Sequence, residues 1–392
     1  MVVKEFLNKR VAVLGSTGSI GTSALSVIAH LGQPYRAVAL SGHRQTKLLL
    51  EQVKKYRPAA VAITDEKACN EMRKQLDGMT QCYAGPAGLV EMVRRDDIDI
   101  VLAAIVGSAG LPAVLAAVES GKTLALANKE SLVVAGSLLI PLARKKGVPI
   151  LPVDSEHSAI FQAMQCGRLA EVKRVILTAS GGPFRNTPVE QMEKASLSDA
   201  LNHPTWRMGN KISIDSATMF NKALELIEAC WLFDIPPEKV EIVIHPESVV
   251  HSMVEYVDGS VIAQLSPPDM RTPIQYALTY PHRVEGCTRK LDLLKGFSLS
   301  FQPPDAKRFP AIEVAYEVAR KGGSFGAVLN GANEAAVAAF IRGRITFGQI
   351  ARVVKRAIET HKMVSSPSLD ELLEADRWSR LAAEEYMNQL SV

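Results

Sequence analysis

The sequence predicts an α/β protein: an N-terminal doubly wound, Rossmann-like parallel sheet, an α/β catalytic domain after it, and a small all-helical domain at the C-terminus. Three observations predict this. Short apolar runs alternate with helical patterns from Lys9 to about Val153, a glycine turn separates the first run from the first helix, and helix periodicity dominates from residue 311.

The first run, Lys9 to Leu14, leads into Gly15, Gly18 and Gly21 and then a helical pattern from Thr22 to His30. Strand, glycine turn and helix are the context in which backbone N–H groups and a helix N-terminus hold a phosphate. The spacing is G-x-x-G-x-x-G, and a tight turn also needs glycine without a ligand. After the second strand, Ala37 to Leu40, stand Ser41, Gly42, His43 and Arg44, where an NAD-binding unit would carry an acid for the ribose 2′-hydroxyl. A guanidinium and an imidazole suit a 2′-phosphate instead, so NADP is the expected cofactor. The alternative is a pair of exposed loop residues. Further helices about 46–56, 67–76, 88–94 and 111–120 alternate with strands at 60–63, 98–104 and 123–127. The residues at the carboxyl ends of these strands, Ala104 to Gly110 and Asn128 to Ser131, should edge the ligand crevice, with Lys129 placed to meet a substrate oxygen.

Ile150 to Val153 reads as a buried strand from whose end Asp154 and Glu156 emerge one residue apart, on the same side of an extended chain. Like charges so close need a cation, a shared proton or solvent, and hard divalent ions take carboxylate oxygens. Val172 to Leu177 then runs into a Gly- and Ser-rich turn at 178–185, and residues 200–209, with His203, Pro204 and Trp206, suggest a lid or a pinned surface loop. The stretch Lys211 to Phe233 holds a helix that Asp215 or Ser216 can cap, with an N-terminus that favours an anion. Its Asn221, Glu225 and Glu228 fall on one stripe with Lys222 beside it, while the rest is apolar. Such a helix is largely buried, and its polar stripe needs partners; Glu225 would be a third carboxylate for the ion, with a solvated face as the competing account. Strands at 241–244, 249–257 and 260–265 follow, the last two joined by Asp258 and Gly259, with His245 and His251 read as core or turn histidines. A helix reaches about Tyr280, residues 281–310 form a linker, and helices cover 312–320, 331–342, 347–361 and 369–388.

The domains expected are thus 1–153 for NADPH, 154–280 for catalysis and metal, a 281–310 linker, and 311–392 helical. At 392 residues the chain has room for two or three cores. The formal net charge of +4, from 45 basic and 41 acidic residues, gives no bulk support for nucleic acid or membrane binding. Five widely spaced cysteines without a C-x-x-C pair read as reduced thiols of a cytoplasmic protein, and no apolar run reaches membrane-span length. The residues before the first strand are too few for a targeting peptide.

Taken together, Leu14–Gly21, Ala127–Ser131, Pro152–His157, Ser180–Arg185, His203 with Pro204, Trp206, Met208 and Gly209, Asp215–Met219 with Asn221, Lys222 and Glu225, His245–Pro246, Asp269–Pro273 and Leu329–Glu334 resemble the 1-deoxy-D-xylulose 5-phosphate reductoisomerase family over nearly the whole chain. The resemblance implies NADPH-dependent rearrangement and reduction of that sugar phosphate to 2-C-methyl-D-erythritol 4-phosphate, in the non-mevalonate route to isoprenoid precursors, by a homodimer. It implies Mg²⁺ or Mn²⁺ on Asp154, Glu156 and Glu225, and substrate phosphate on Ser180, Ser216, Asn221 and Lys222. Lys129, Ser155, Glu156 and His203 would meet the carbonyl and hydroxyl oxygens, so that Lys129, Asp154, Glu156, His203 and Glu225 carry the catalysis. NADPH would rest on Thr17, Gly18, Ser19, Ile20, Gly42, His43, Arg44, Asn128, Glu130 and Gly209. Residues 180–210 would close as a lid bearing Trp206. A cysteine-nucleophile dehydrogenase and a non-catalytic NADP sensor are the rival readings.

Overall fold

The computed structural model describes residues 9–76, 78–206 and 208–390. Its elements begin β1 (Lys9–Leu14), α1 (Ser19–Leu31), β2 (Tyr35–Gly42), α2 (Thr46–Tyr56), β3 (Ala60–Ile63), α3 (Glu66–Arg73), β4 (Gln81–Ala84) and α4 (Gly85–Val93). Next come β5 (Ile100–Ala103), α5 (Leu111–Glu119), β6 (Thr123–Leu126), α6 (Lys129–Lys146), β7 (Ile150–Pro152), α7 (Ser155–Ala163) and β8 (Val172–Ala179). The remainder is α8 (Val189–Met192), α9 (Leu197–Leu201), α10 (Asn210–Thr218), α11 (Phe220–Phe233), β9 (Val240–Ile244), β10 (Val250–Tyr256), β11 (Val261–Leu265), α12 (Arg271–Thr279), α13 (Ala311–Lys321), α14 (Phe325–Ile341), α15 (Phe347–Thr360) and α16 (Leu369–Leu390).

Two compact units result, and neither is contiguous in sequence. The first runs to Asn128 and adds Leu139–Ser158 and Asp269–Arg289; the second takes Lys129–Leu138, Ala159–Pro268 and the chain from Lys290 onward. In the first, seven strands form one sheet in the order β4-β3-β2-β1-β5-β6-β7, every pair parallel. Val11 to Leu14, Ala60 to Ile63 and Ile100 to Ala103 are buried throughout, as continuous apolar strands of a covered parallel sheet must be. The order reverses between β1 and β5, so the crevice for a ligand opens where the glycine turn leaves β1. A Cβ at Gly15, whose φ is 77°, would lie 2.7 Å from the Ala104 carbonyl oxygen, and one at Gly21 would sit on the carbonyl oxygen of Gly15. Gly21→Ala should therefore lower stability by about 1–3 kcal/mol, the usual cost of overpacking a rigid contact, and a melting curve superimposable on that of the parent chain would show that the turn yields.

One strand escapes sequence analysis: β4, whose half-exposed Gln81 and Cys82 break the apolar run that marks the others. Helix α12, expected with the catalytic segment, packs in this first unit against α1, β6 and β7, burying Ile274, Ala277 and Leu278. Asp154 and Glu156 do not leave β7 on an extended chain. Glu156 lies in the first turn of α7, where an acid is favoured by the helix N-terminus, and accepts from Ser155 Oγ at 2.7 Å.

The second unit holds a mixed sheet in the order β11-β10-β8-β9, with β8 and β9 parallel and the other pairs antiparallel. Helix α14 packs on α15 and α16, and α11 on α10 and α13. The polar residues of α14 act as ties: Asn330 donates to Asp376 Oδ1 at 2.9 Å, Asn333 to Asp215 Oδ1 at 2.8 Å, and Glu334 pairs with Arg380 at 2.9 Å. His245 is a turn residue, as expected, its Nε2 accepting from the amides of Val249 and Val250 at 3.1 Å. The helix expected to begin at Asp215 or Ser216 begins earlier, at Asn210, and is broken into two. Met219 adopts a left-handed conformation, φ 65°, and ends α10 before α11 begins, so Asp215 and Ser216 lie inside α10 and cap nothing. Among the described residues, no helix is long and apolar enough to cross a membrane.

Candidate active site

Helix α11 carries a polar cluster that is not a solvated face. Glu225 is 1% exposed, Lys222 3% and Glu228 fully buried. Spacing of three and four residues brings Asn221 and Lys222 over Glu225, and both donate to its carboxylate. Lys129, the first residue of α6, adds its ammonium from another helix, 3.0 Å from Glu225 Oε1 and 3.0 Å from Asn221 Oδ1. Lys129 is 7% exposed, which rules out the surface-residue reading for it. Two ammonium groups thus face one carboxylate where water is scarce, an arrangement that holds the lysine tips in place and draws a further anion.

A second group assembles at the end of β8. Ser180 Oγ lies 3.0 Å from His203 Nε2 and accepts from the amide of Gly182 at 3.1 Å. His203 Nδ1 accepts from the amides of Trp206 at 2.9 Å and Thr205 at 3.2 Å. With Nδ1 an acceptor, the proton sits on Nε2, so the ring donates to Ser180 and leaves the serine proton free to point elsewhere. Burial pushes the His203 pKa below its ordinary value, which keeps that neutral form. Gly181 and Gly182 have positive φ, and a Cβ on Gly182 would meet the Ser216 carbonyl oxygen at 2.8 Å. Only glycine lets this turn lie so close to α10, and Ser180 and Ser216 come to the same region as a result. The Trp206 ring lies 6.3 Å from that of His251. Short helices α8 and α9 lie within 180–210, the segment expected to close as a lid, α9 being opened by a capping box on Ser196 and Asp199.

Lys211 is a residue that sequence analysis missed. It lies 2.9 Å from Glu130 Oε1 and 2.8 Å from Asp215 Oδ2, and Asn333 holds the other oxygen of Asp215. Burial works against both partners' charges, yet the mutual attraction outweighs it: the Glu130 carboxyl is held below its ordinary pKa and the Lys211 amine above its own. The pair ties α10 to the turn of α6 that presents Lys129. Its i,i+4 half, Lys211 with Asp215, is a readable helix spacing, whereas the Glu130 partner, 81 residues away, is not.

Profiles of known families match most of the chain. The profile of 1-deoxy-D-xylulose 5-phosphate reductoisomerase matches residues 11–136, that of its C-terminal domain residues 150–233, and a DXP reductoisomerase C-terminal domain residues 265–382. The reductoisomerase of Trichlorobacter lovleyi is 48% identical over 97% of this chain and 98% of its own, and that of Pelodictyon phaeoclathratiforme 48% identical over 97% and 100%. The chain belongs to the 1-deoxy-D-xylulose 5-phosphate reductoisomerase family. Solved reductoisomerases superpose closely. A DOX-P reductoisomerase in complex with NADPH, fosmidomycin and magnesium has a TM-score of 0.93 at 42% identity, covering 97% of this chain and 99% of its own. The Zymomonas mobilis reductoisomerase with NADPH has a TM-score of 0.91 at 45% identity, covering 97% and 99%.

Within the first unit, Thr17, Gly18, Ser19 and Ile20 form the turn and first residues of α1, whose N-terminus has no side-chain cap. No side chain competes for its leading amides, the condition under which a helix N-terminus can receive an anion. Gly42 ends β2; His43 Nδ1 lies 2.9 Å from Thr64 Oγ1, and Arg44, with its side chain 76% exposed, pairs with Asp65 at 2.9 Å. Asn128 donates to the carbonyls of Ile105 and Gly107 at 2.6 and 3.0 Å, so its amide pins the turn after β5. In the second unit, the Glu130 carboxylate is engaged by Lys211, and Gly209 stands at the N-cap of α10 with no atom near where a Cβ would project. The cysteines are free, and burial pushes the Cys230 thiol up to about 12, which disarms it as a nucleophile.

Proposed function

We infer that this protein catalyses the NADPH-dependent rearrangement and reduction of 1-deoxy-D-xylulose 5-phosphate to 2-C-methyl-D-erythritol 4-phosphate, with Mg²⁺ or Mn²⁺. The observation that carries the reading is the buried cluster of Lys129, Asn221, Lys222 and Glu225 in a chain matched over 97% of its length by a reductoisomerase. The donor chemistry fits a hard divalent cation: Asp154, Glu156 and Glu225 would hold it through carboxylate oxygen alone. The turn of Gly15 to Gly21, which has no room for a side chain at Gly15 or Gly21, fits a pyrophosphate. When bound, the ion supplies Lewis acidity and the nicotinamide a hydride.

The chain's own residues would do the rest. Lys222, Asn221, Ser216 and Ser180 would take the substrate phosphate, the serine proton left free by the His203 tautomer donating to a phosphate oxygen. Lys129, held by Glu225, would meet a substrate oxygen together with Ser155 and Glu156, and His203 would donate Nε2–H to another once it leaves Ser180. Asn128, Glu130 and Gly209 would border the cofactor by backbone and position. Binding energy from the phosphate would draw residues 180–210, with Trp206, over the site. We place the functional segments at 1–153, 154–280, 281–310 and 311–392, and the enzyme in the cytoplasm as a homodimer.

Loss of NADPH absorbance in the presence of the ketose phosphate, abolished by a chelator and restored by Mg²⁺ or Mn²⁺, tests the activity; turnover indifferent to chelator would overturn it. A second test concerns His43 and Arg44. Replacing both by Ala is expected to weaken NADPH by roughly ten- to a hundredfold, the order of a lost charge-assisted contact or two, with little effect on NADH. An unchanged preference would remove them from the 2′-phosphate site.

A further inference from the structure

A cavity of about 840 Å³ opens in the first unit at the amino-terminal edge of the sheet. It is lined by residues at the starts of β1 and β2, the last turn of α2 and the turn after α3. The glycine turn leaves the opposite end of β1, roughly 15 Å away at the rise of an extended strand. The cavity is therefore separate from the cofactor crevice, and its size is that of small-molecule sites in general.

Among the described lining residues the charges do not cancel. Arg10 is taken by Asp99 in a two-pronged pair, and Asp97 is taken by Arg95 in another. Arg36, Lys54 and Arg57 are left over, all exposed and none with an ion-pair partner among the described residues. Arg57 is also strained: it caps the C-terminus of α2 at φ 46° and ψ 57°, the left-handed conformation that glycine adopts without penalty. A guanidinium is held where backbone geometry favours the absence of a side chain. Between the cations the wall is apolar, made by Leu50, Val53, Leu76 and Met79, the last 81% exposed.

We propose that this cavity is a second ligand site, for a small organic phosphate or diphosphate whose anionic end lies among Arg36, Lys54 and Arg57 and whose hydrocarbon part covers the apolar wall. Three unpaired cations match the charge of such a head group, and the planar guanidinium forks match its oxygens. The proposal stands apart from the reductoisomerase activity, because none of these residues belongs to the catalytic or cofactor machinery.

The test uses the full chain saturated with NADPH, Mg²⁺ and fosmidomycin, so that the phosphate-binding residues of the active site are occupied, and titrates it calorimetrically with hexyl phosphate. One saturable site is expected, weakened at least tenfold in Arg36→Ala/Arg57→Gly. Arg57→Gly alone should weaken binding while leaving the melting temperature equal or higher, since it relieves the strained backbone. NADPH affinity should not change in either variant, which shows them folded. Overturning results are no saturable binding, unchanged affinity in the double variant, or inorganic phosphate or hexanol binding as tightly as hexyl phosphate.

Discussion

Glu225→Gln is expected to reduce kcat/KM on the order of 10³-fold while leaving NADPH affinity, followed by fluorescence titration, as it was. The amide keeps the shape of the side chain and removes only its charge. The electrostatic consequence is large because Glu225 is 1% exposed and receives Lys129, Lys222 and Asn221 together. Removing one member of a preorganised polar cluster costs turnover of about this size in buried sites. Two lysines left without their carboxylate also destabilise the fold, by about 3–5 kcal/mol for a broken buried pair, so the melting temperature should fall as well. Glu225→Asp keeps the charge and should recover part of both. NADPH affinity falling in step with turnover would show that Glu225 serves the fold of the cofactor unit rather than the reaction.

Lys211→Met should be the most destabilising single change in the network beneath Lys129, by about 3–5 kcal/mol near neutral pH, because it strands two buried carboxylates. Its pH dependence identifies the cause. In the parent chain Glu130 is held below its ordinary 4.5, so its contribution is present above that pH and is lost as pH falls through the folded value. Lys211 is held above its ordinary 10.5, so its contribution is present below that pH and is lost as pH rises through the folded value. Between those limits the pair is at full strength. In the variant, burial without a cation raises the Glu130 pKa instead, and proton uptake then favours the folded state. The deficit relative to the parent should shrink between about pH 8 and about pH 5 in denaturant titrations. A deficit constant over that range would mean that lost packing of the lysine stem, and not stranded charge, is responsible.

What the sequence discloses and what it hides follow from the range of each interaction. The stripe of Asn221, Glu225 and Glu228 is legible because helix periodicity alone places residues three and four apart together, and α11 proves to be buried as its apolar remainder requires. The parallel sheet is legible because strands covered on both faces are uninterrupted apolar runs. The break at Met219 is not: the backbone turns left-handed at a residue that usually continues a helix, and no local pattern announces it. Asp154 and Glu156 were expected on a strand end because the apolar run before them says strand. The competing signal, an acid and a serine opening a helix at Ser155, was present in the same residues and won. Asp215 was expected at a helix terminus, and its true partners, Lys211 and Asn333, come one from its own helix and one from 118 residues further on.

The discontinuous first unit bears on how the chain is made. Helix α12, from the far side of a long insertion, covers apolar surface on α1, β6 and β7. A ribosome that has released only the seven strands has therefore not yet supplied the piece that seals them, and the nascent sheet must wait, exposed to chaperones or to aggregation, until Arg289 has left the exit tunnel. Expressed by itself, the stretch ending at Val153 would carry that bare apolar flank into solution.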